Sequence, residues 1–170
     1  MKEEINKKGV SILSLDVQKL IDMLNAALSE EWLAYYQYWI GAQLVEGPMR
    51  AEVEAELLQH ATEELGHADL VAKRIIELNG TPVLNPLEWS KLARCKYEAP
   101  EDPYVETILA QNIRGERCAI QRYQEIAAYT DKADYVTHKL AVQILGDEVE
   151  HEKDLDDFVV DISLLKKALK

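Results

Sequence analysis

Only two cysteines, five prolines, seven glycines and one phenylalanine occur in the 170 residues of this chain. Two cysteines cannot furnish a four-cysteine metal module. The shortage of proline and glycine leaves long stretches without a helix breaker. With Leu, Ala, Glu and Lys abundant, and eight Tyr and three Trp supplying most of the aromatic bulk, the composition suits packed helices better than sheets. No run of eighteen apolar residues occurs, so no membrane span is expected. The N-terminal sequence Met1 to Val10 is charged and lacks the apolar stretch and small-residue cleavage site of a secretory signal, which makes the cytoplasm the expected location. Positive charge is scarce too. With 19 Lys and Arg against 31 Asp and Glu the net charge is −12, so the surface repels nucleic acid phosphates and gathers cations. Lys2, Lys7 and Lys8, offset by Glu3 and Glu4, and Lys166, Lys167 and Lys170 read as solvated ends rather than a DNA-binding tail.

Against these absences stand two copies of one short pattern, Glu64-Leu65-Gly66-His67 and Glu148-Val149-Glu150-His151. Glu and His three positions apart on a helix share a face, so each pair can aim an oxygen and a nitrogen at one point. Each copy has an upstream glutamate at nearly the same spacing, Glu31 before the first and Glu116 before the second. The chain therefore reads as a tandem repeat: a helix with one Glu, then a helix with Glu-x-x-His.

Apolar spacing supplies the helices. From a cap at Ser14 or Asp16, the positions Val17, Leu20, Leu24, Ala27, Glu31, Ala34, Tyr38, Ala42 and Val45 recur at threes and fours until Gly47-Pro48 forces a turn. The second helix opens with Glu52, Glu54 and Glu56. It carries Leu57, Ala61, Glu64, Ala68, Val71 and Ile75 on one seam, with Gly80 and Pro82 as its stop. Residues 81–102 contain three prolines and a short helical piece near Leu87 to Ala93, a crossover long enough to run the length of a bundle. Asp102-Pro103 is expected to start the third helix, with Val105, Leu109, Asn112 or Ile113, Glu116, Ile120, Tyr123 and Ala127 inward. The fourth is expected from Thr130 or Asp131, carrying Ala141, Leu145, Glu148, His151 or Glu152, Leu155, Phe158 and Ile162. The fold class is thus all-α: one domain over residues 1–170, an antiparallel four-helix bundle over about 15–165 with one long crossover between helices two and three.

Taken singly, a glutamate on an acidic helix is ordinarily a solvated side chain, and Glu30, Glu63 and Glu150 are read that way. His60 and His138 are read as surface or packing residues. The paired spacing separates out Glu31, Glu64, His67, Glu116, Glu148 and His151, which four seams bring to one level of the core. Four buried carboxylates without cations would be prohibitive, whereas two divalent ions cancel their charge. Oxygen-rich coordination with two imidazoles suits iron, or manganese.

At these residues the chain resembles the ferritin-like superfamily, from Leu15 to about Leu165. The segment Glu31-Trp-Leu-Ala-Tyr-Tyr-Gln-Tyr38 is similar to the bacterioferritin pattern of a ligand Glu followed two turns later by Tyr, and Glu64-Leu-Gly-His67-Ala-Asp69 and Asp147-Glu148-Val-Glu-His151 are as close. The resemblance implies Glu31 and His67 on one iron, Glu116 and His151 on the other, and Glu64 and Glu148 bridging. It places Tyr38 behind the ligands, with Tyr123 in the equivalent place of the second repeat; an aromatic core filler is the other reading of both. Bacterioferritin carries a haem-ligating Met inside its first Glu-x-x-His, where this chain has Leu65, so haem is not expected.

The two cysteines make the chain similar to the Dps-like subgroup called thioferritins, whose cysteines lie near the iron centre and whose members form hollow shells, typically of twelve subunits. Cys118, two residues past Glu116, is rotated about 200° from it and is a poor metal ligand. Either a Cys95–Cys118 disulfide or two buried reduced thiols fits the residues, and the resemblance favours the disulfide. The activity implied is a ferroxidase that uses hydrogen peroxide or dioxygen to oxidise ferrous iron and sequesters it in a homo-oligomeric shell, protecting against oxidative stress. The rivals are a rubrerythrin-like peroxidase that stores nothing and a DNA-protecting shell. The first usually carries extra glutamates and often a four-cysteine module, and the second sits badly with the acidic charge.

Overall fold

The structure is a computed structural model and describes residues 8–169; the readings placed on Lys2, Glu3, Glu4, Lys7 and Lys170, and on the Lys8 side chain, lie outside the described residues. Among these residues the chain forms α1 (Lys8–Ser11), α2 (Val17–Leu44), α3 (Arg50–Glu77), α4 (Trp89–Leu92, preceded by a 3-10 turn at Pro86–Glu88), α5 (Val105–Thr130) and α6 (Tyr135–Ala168). The four long helices make an antiparallel bundle in which α2 packs against α3 and α5 against α6. No described helix is long and apolar enough to cross a membrane.

Local chemistry sets most of the ends. Asp16 caps α2, its carboxylate accepting the Lys19 backbone N–H at 3.1 Å. After α2 the chain turns through Gly47 at φ 120°, where a Cβ would come within 3.1 Å of Tyr104 and Val105, so both backbone angle and space call for glycine. At the end of α3 the left-handed residue is Asn79 (φ 63°), while the Gly80 N–H closes onto Ile75 O at 2.9 Å. Gly80 answers to packing instead, since a Cβ there would lie 2.9 Å from the Ile21 side chain.

Two starts differ from the expectation. Pro103 precedes α5 rather than opening it. Asp102 still serves the helix, accepting from Tyr104 N at 3.0 Å and from the Thr107 hydroxyl at 2.7 Å. The fourth long helix begins at Tyr135, not near Thr130. α5 runs on to Thr130, Lys132 takes a positive φ, and Asp134 accepts the Val136 and Thr137 N–H groups as the cap. A cap one turn later outcompeted Asp131 because Arg74 also holds Asp134, at 2.8 Å.

The crossover is laid along α2 by polar side chains of that helix. Asn25 accepts Val83 N at 2.8 Å and donates to Thr81 O at 3.1 Å. Glu30 accepts Arg94 N at 2.6 Å and Cys95 N at 3.2 Å, and Gln37 accepts Glu98 N at 2.8 Å. Trp89 stacks on Trp32 with ring centroids 5.4 Å apart. At the far end Glu46 and Tyr104 form an isolated bridge, delivering α5 beside the end of α2. Glu30 was expected to be solvated; it is instead buried and paired with Arg122 at 2.8 Å, because its oxygens satisfy crossover amides that would otherwise be orphaned.

The core is in two blocks. One contains Leu20, Leu24, Val71, Ile126 and Ile144; the other contains Val53, Leu57, Ile108, Leu109 and Leu155. Ile144, rather than the expected Leu145, is fully buried on α6. Between the blocks lies a polar layer.

Candidate metal centre

That layer is made of Glu31 from α2, Glu64 and His67 from α3, Glu116 from α5, and Glu148 and His151 from α6, all buried. Each comes from near the middle of its helix, where the backbone is fully hydrogen-bonded, so the side chains are presented on rigid rods. The donor atoms fall into two overlapping groups, Glu31, Glu64, His67 and Glu148, and Glu64, Glu116, Glu148 and His151, each with ligand atoms within 4.8 Å of one another.

Glu64 and Glu148 belong to both groups. Glu64 presents Oε2 to His67 Nδ1 at 3.3 Å and Oε1 to His151 Nδ1 at 3.5 Å. Glu148 presents Oε1 to His67 Nδ1 and Oε2 to His151 Nδ1, both at 3.3 Å. The outer carboxylates each face one imidazole: Glu31 Oε2 lies 3.7 Å from His67 Nδ1 and Glu116 Oε2 lies 3.9 Å from His151 Nδ1.

Several of these atoms have no hydrogen-bond partner: both oxygens of Glu148, Glu116 Oε2 and His151 Nδ1. Polar atoms that are buried and unpaired, converging on one space, are costly to a fold unless a ligand completes them. The donor set, four carboxylates and two imidazole nitrogens, fits two divalent cations in charge and in ligand type.

The imidazoles are held from behind. His67 Nε2 meets Asp147 Oδ2 at 3.2 Å, and His151 Nε2 meets Glu63 Oε2 at 2.7 Å, which turns each Nδ1 inward. Glu63 was expected to be a bystander, and it is half-exposed yet engaged. The signal lay in the sequence: Asp147 stands one residue before Glu148 and Glu63 one residue before Glu64, the same place in both repeats. Tyr38 donates to Glu116 Oε1 and Tyr123 donates to Glu31 Oε1, so both phenols are buried hydrogen-bond partners of the outer glutamates as well as core aromatics.

Protons fill the layer when no cation does. Burial, and then the charges of neighbouring carboxylates, push Glu31 and Glu116 well above the usual carboxylate range. Burial opposes ionisation of Glu64 as well, but the facing imidazoles of His151 and His67 outweigh it and hold that carboxyl low. Burial also works against charging His151, yet Glu148 and Glu64 push it up to about 11, and Glu148, Glu31 and Glu64 hold His67 higher still. Burial foremost, and then Glu116 or Glu31, keeps the Tyr38 and Tyr123 phenols protonated and able to donate.

Cys118 is joined to Cys95 in a disulfide, tying the crossover to α5 beside Glu30. His138 donates from Nδ1 to Ala127 O, 2.9 Å away, and takes no part in the layer. His60 is fully buried rather than at the surface, with its ring on His151.

The family model of the ferritin-like domain matches residues 21–165. The DNA protection during starvation protein of Pyrococcus furiosus is 36% identical over 151 residues, covering 88% of this chain and 81% of that protein. A bacterioferritin of Rhodobacter capsulatus is 31% identical over 134 residues, 78% of each chain. The solved structure of a dodecameric thioferritin, the bacterioferritin-related protein from Bacteroides fragilis, has a TM-score of 0.94 at 57% identity, covering 95% of this chain and 98% of that one. Dps from Thermosynechococcus elongatus, at 20% identity, a TM-score of 0.80 and coverage of 84% and 90%, is similar in fold.

Proposed function

The chain belongs to the ferritin-like domain family, whose general work is iron storage and protection from oxidative damage, and from that premise we propose that it is a ferroxidase. Its substrate is ferrous iron, its oxidant hydrogen peroxide or dioxygen, and its product ferric iron kept inside a homo-oligomeric shell. The observation that carries this reading is the orphaned set of buried donors on Glu148, Glu116 and His151, in a layer that two divalent cations would neutralise.

In this reading Glu31 and His67 hold one ferrous ion, Glu116 and His151 the other, and Glu64 and Glu148 lie between them, each with one oxygen toward either side. Hydrogen peroxide accepts two electrons, one from each ferrous ion, and two protons, giving two waters, so no hydroxyl radical leaves the site. The carboxylates lower the charge cost of the ferric product, and Tyr38 and Tyr123 fix the outer glutamates in place. Leu65 stands where a haem ligand would be in bacterioferritin, and haem has no part in the proposal.

The dodecameric assembly of the Bacteroides fragilis relative supports a shell of the same kind here. A DNA-protecting role, suggested by the name of the Pyrococcus furiosus relative, is set against by the net charge of −12. The test is direct. The protein should oxidise ferrous iron with peroxide far faster than Glu64→Gln/Glu148→Gln, and a shell-sized particle should elute with ferric iron inside. Equal rates for the two proteins would end the ferroxidase reading, and a dimer without retained iron would favour a peroxidase that cycles electrons.

A further inference from the structure

A second group of metal-ligating side chains lies beside the six-residue layer, on the flank formed by α3 and α6. His60 is fully buried, and neither ring nitrogen has a hydrogen-bond partner. Its Nε2 is aimed at two carboxylates, 3.3 Å from Glu56 Oε1 and 3.8 Å from Asp154 Oδ2. Donor atoms of Glu56, His60 and Asp154 all lie within 4.8 Å of one another, and so do those of His60, Glu63 and His151. Glu56 and Asp154 are partly open to solvent, in a groove that Asp157 and Asp161 also line.

Packing does not ask for these residues. The shift along the chain that carries Glu64 onto Glu148 and His67 onto His151 carries His60 onto Ile144 and Glu56 onto Leu140; the reverse shift carries Asp154 onto Leu70. The symmetry-related places on the opposite flank are therefore filled with hydrocarbon, and Ile144 is fully buried there without polar cost. Of the two matching flanks, this one puts an imidazole and two carboxylates together, two of the three from α3 and Asp154 from α6, and it leaves the imidazole without a hydrogen bond.

We propose that His60 Nε2, Glu56 and Asp154 form an accessory divalent-cation site, with waters from the groove in its remaining positions. One imidazole and two carboxylates suit ferrous iron and its size-mates cobalt and zinc. Ligand atoms about 2.1 Å from a tetrahedral ion are separated by roughly 3.4 Å, which the two observed separations already bracket. The His60 ring stacks on His151 at 4.1 Å between centroids, and Glu63 joins the two sites through His151 Nε2 at 2.7 Å. A cation held here stands one imidazole away from the dinuclear layer, where it is a ferrous ion gathered from solvent for oxidation. That delivery role rests on the ferroxidase reading; the cation affinity does not.

The experiment is a Co(II) titration of the full-length, metal-free protein by equilibrium dialysis, with the visible d–d bands recorded. Glu56→Gln/Asp154→Asn removes carboxylates that are partly exposed, and His60→Ile copies the second repeat, so both should fold. The expected result is that the unaltered protein binds one Co(II) per subunit beyond the pair and that each variant loses that one and its bands. Loss of the pair from Glu64→Gln/Glu148→Gln, with the extra ion retained, would separate the two sites. The inference is overturned if the unaltered protein binds no ion beyond the pair, or if both accessory variants keep it. Should Glu64→Gln/Glu148→Gln lose nothing while the accessory variants still lose one ion, the dinuclear reading fails and the accessory site stands.

Discussion

Tyr38 on α2 donates its phenolic hydrogen to Glu116 on α5, not to Glu31 two turns back on its own helix, and Tyr123 on α5 returns the bond to Glu31. The two repeats are cross-braced through their outer glutamates. Tyr38→Phe leaves a buried Glu116 oxygen without its donor. It should destabilise the metal-free protein by about 1–3 kcal/mol, read as a lower unfolding midpoint, with Tyr123→Phe costing about the same. No change in either midpoint would remove the phenols from this role.

Asp147 holds His67 from behind through Nε2 at 3.2 Å. Asp147→Asn keeps the shape but weakens the hold on the ring's orientation and basicity. Divalent-cation affinity at the six-donor layer should fall by about 10–100-fold with the number of ions bound unchanged, measured by calorimetric titration. Glu63 does the same work for His151, but its neighbourhood with His60 makes Asp147 the cleaner test.

The layer holds protons that cations must displace. Glu31 and Glu116 are raised, His151 is raised to about 11 and His67 further, so the metal-free form carries more protons at neutral pH than the loaded form. Raising the pH therefore favours loading. Cation affinity should climb steadily between about pH 5.5 and 8, and loading in weak buffer should acidify the solution. The same shifts give the opposite sign for metal-free folding: stability from the raised groups is greatest below their unfolded values and is lost as the pH rises through the folded ones. A flat affinity profile would contradict the proton count.

The Cys95–Cys118 bridge spans 23 residues and closes the last part of the crossover onto α5. Cys95→Ser/Cys118→Ser should lower stability by roughly 3 kcal/mol through the entropy regained by the unfolded chain, with the six-donor layer untouched. Thermal unfolding with and without reductant checks this, and the double variant should be insensitive to the reductant.

The sequence by itself determined the helices, their order, the long crossover and the six donors. Each is a periodic or repeated signal: apolar residues at threes and fours, and Glu-x-x-His twice with a glutamate before each. The end of α3 was legible as Gly80, although Asn79 takes the left-handed angle, because both residues are common at that place and only the packing of Ile21 distinguishes them. Glu30 was present as a letter but not as a role, since an acidic residue on an acidic helix reads the same whether it faces water or the backbone amides of a crossover, whereas Glu63 and Asp147 were marked only by their matching places in the two repeats.

What only the tertiary structure decided is who meets whom across helices. That Tyr38 serves Glu116, that Glu63 serves His151, and that Cys95 reaches Cys118 depend on the antiparallel crossing of α2 with α5 and of α3 with α6, and on the crossover's path along α2. His60 shows the limit most clearly. Sequence periodicity says nothing of an imidazole turned toward a carboxylate from another helix, because Asp154 is distant in the chain and becomes a neighbour only when the core closes.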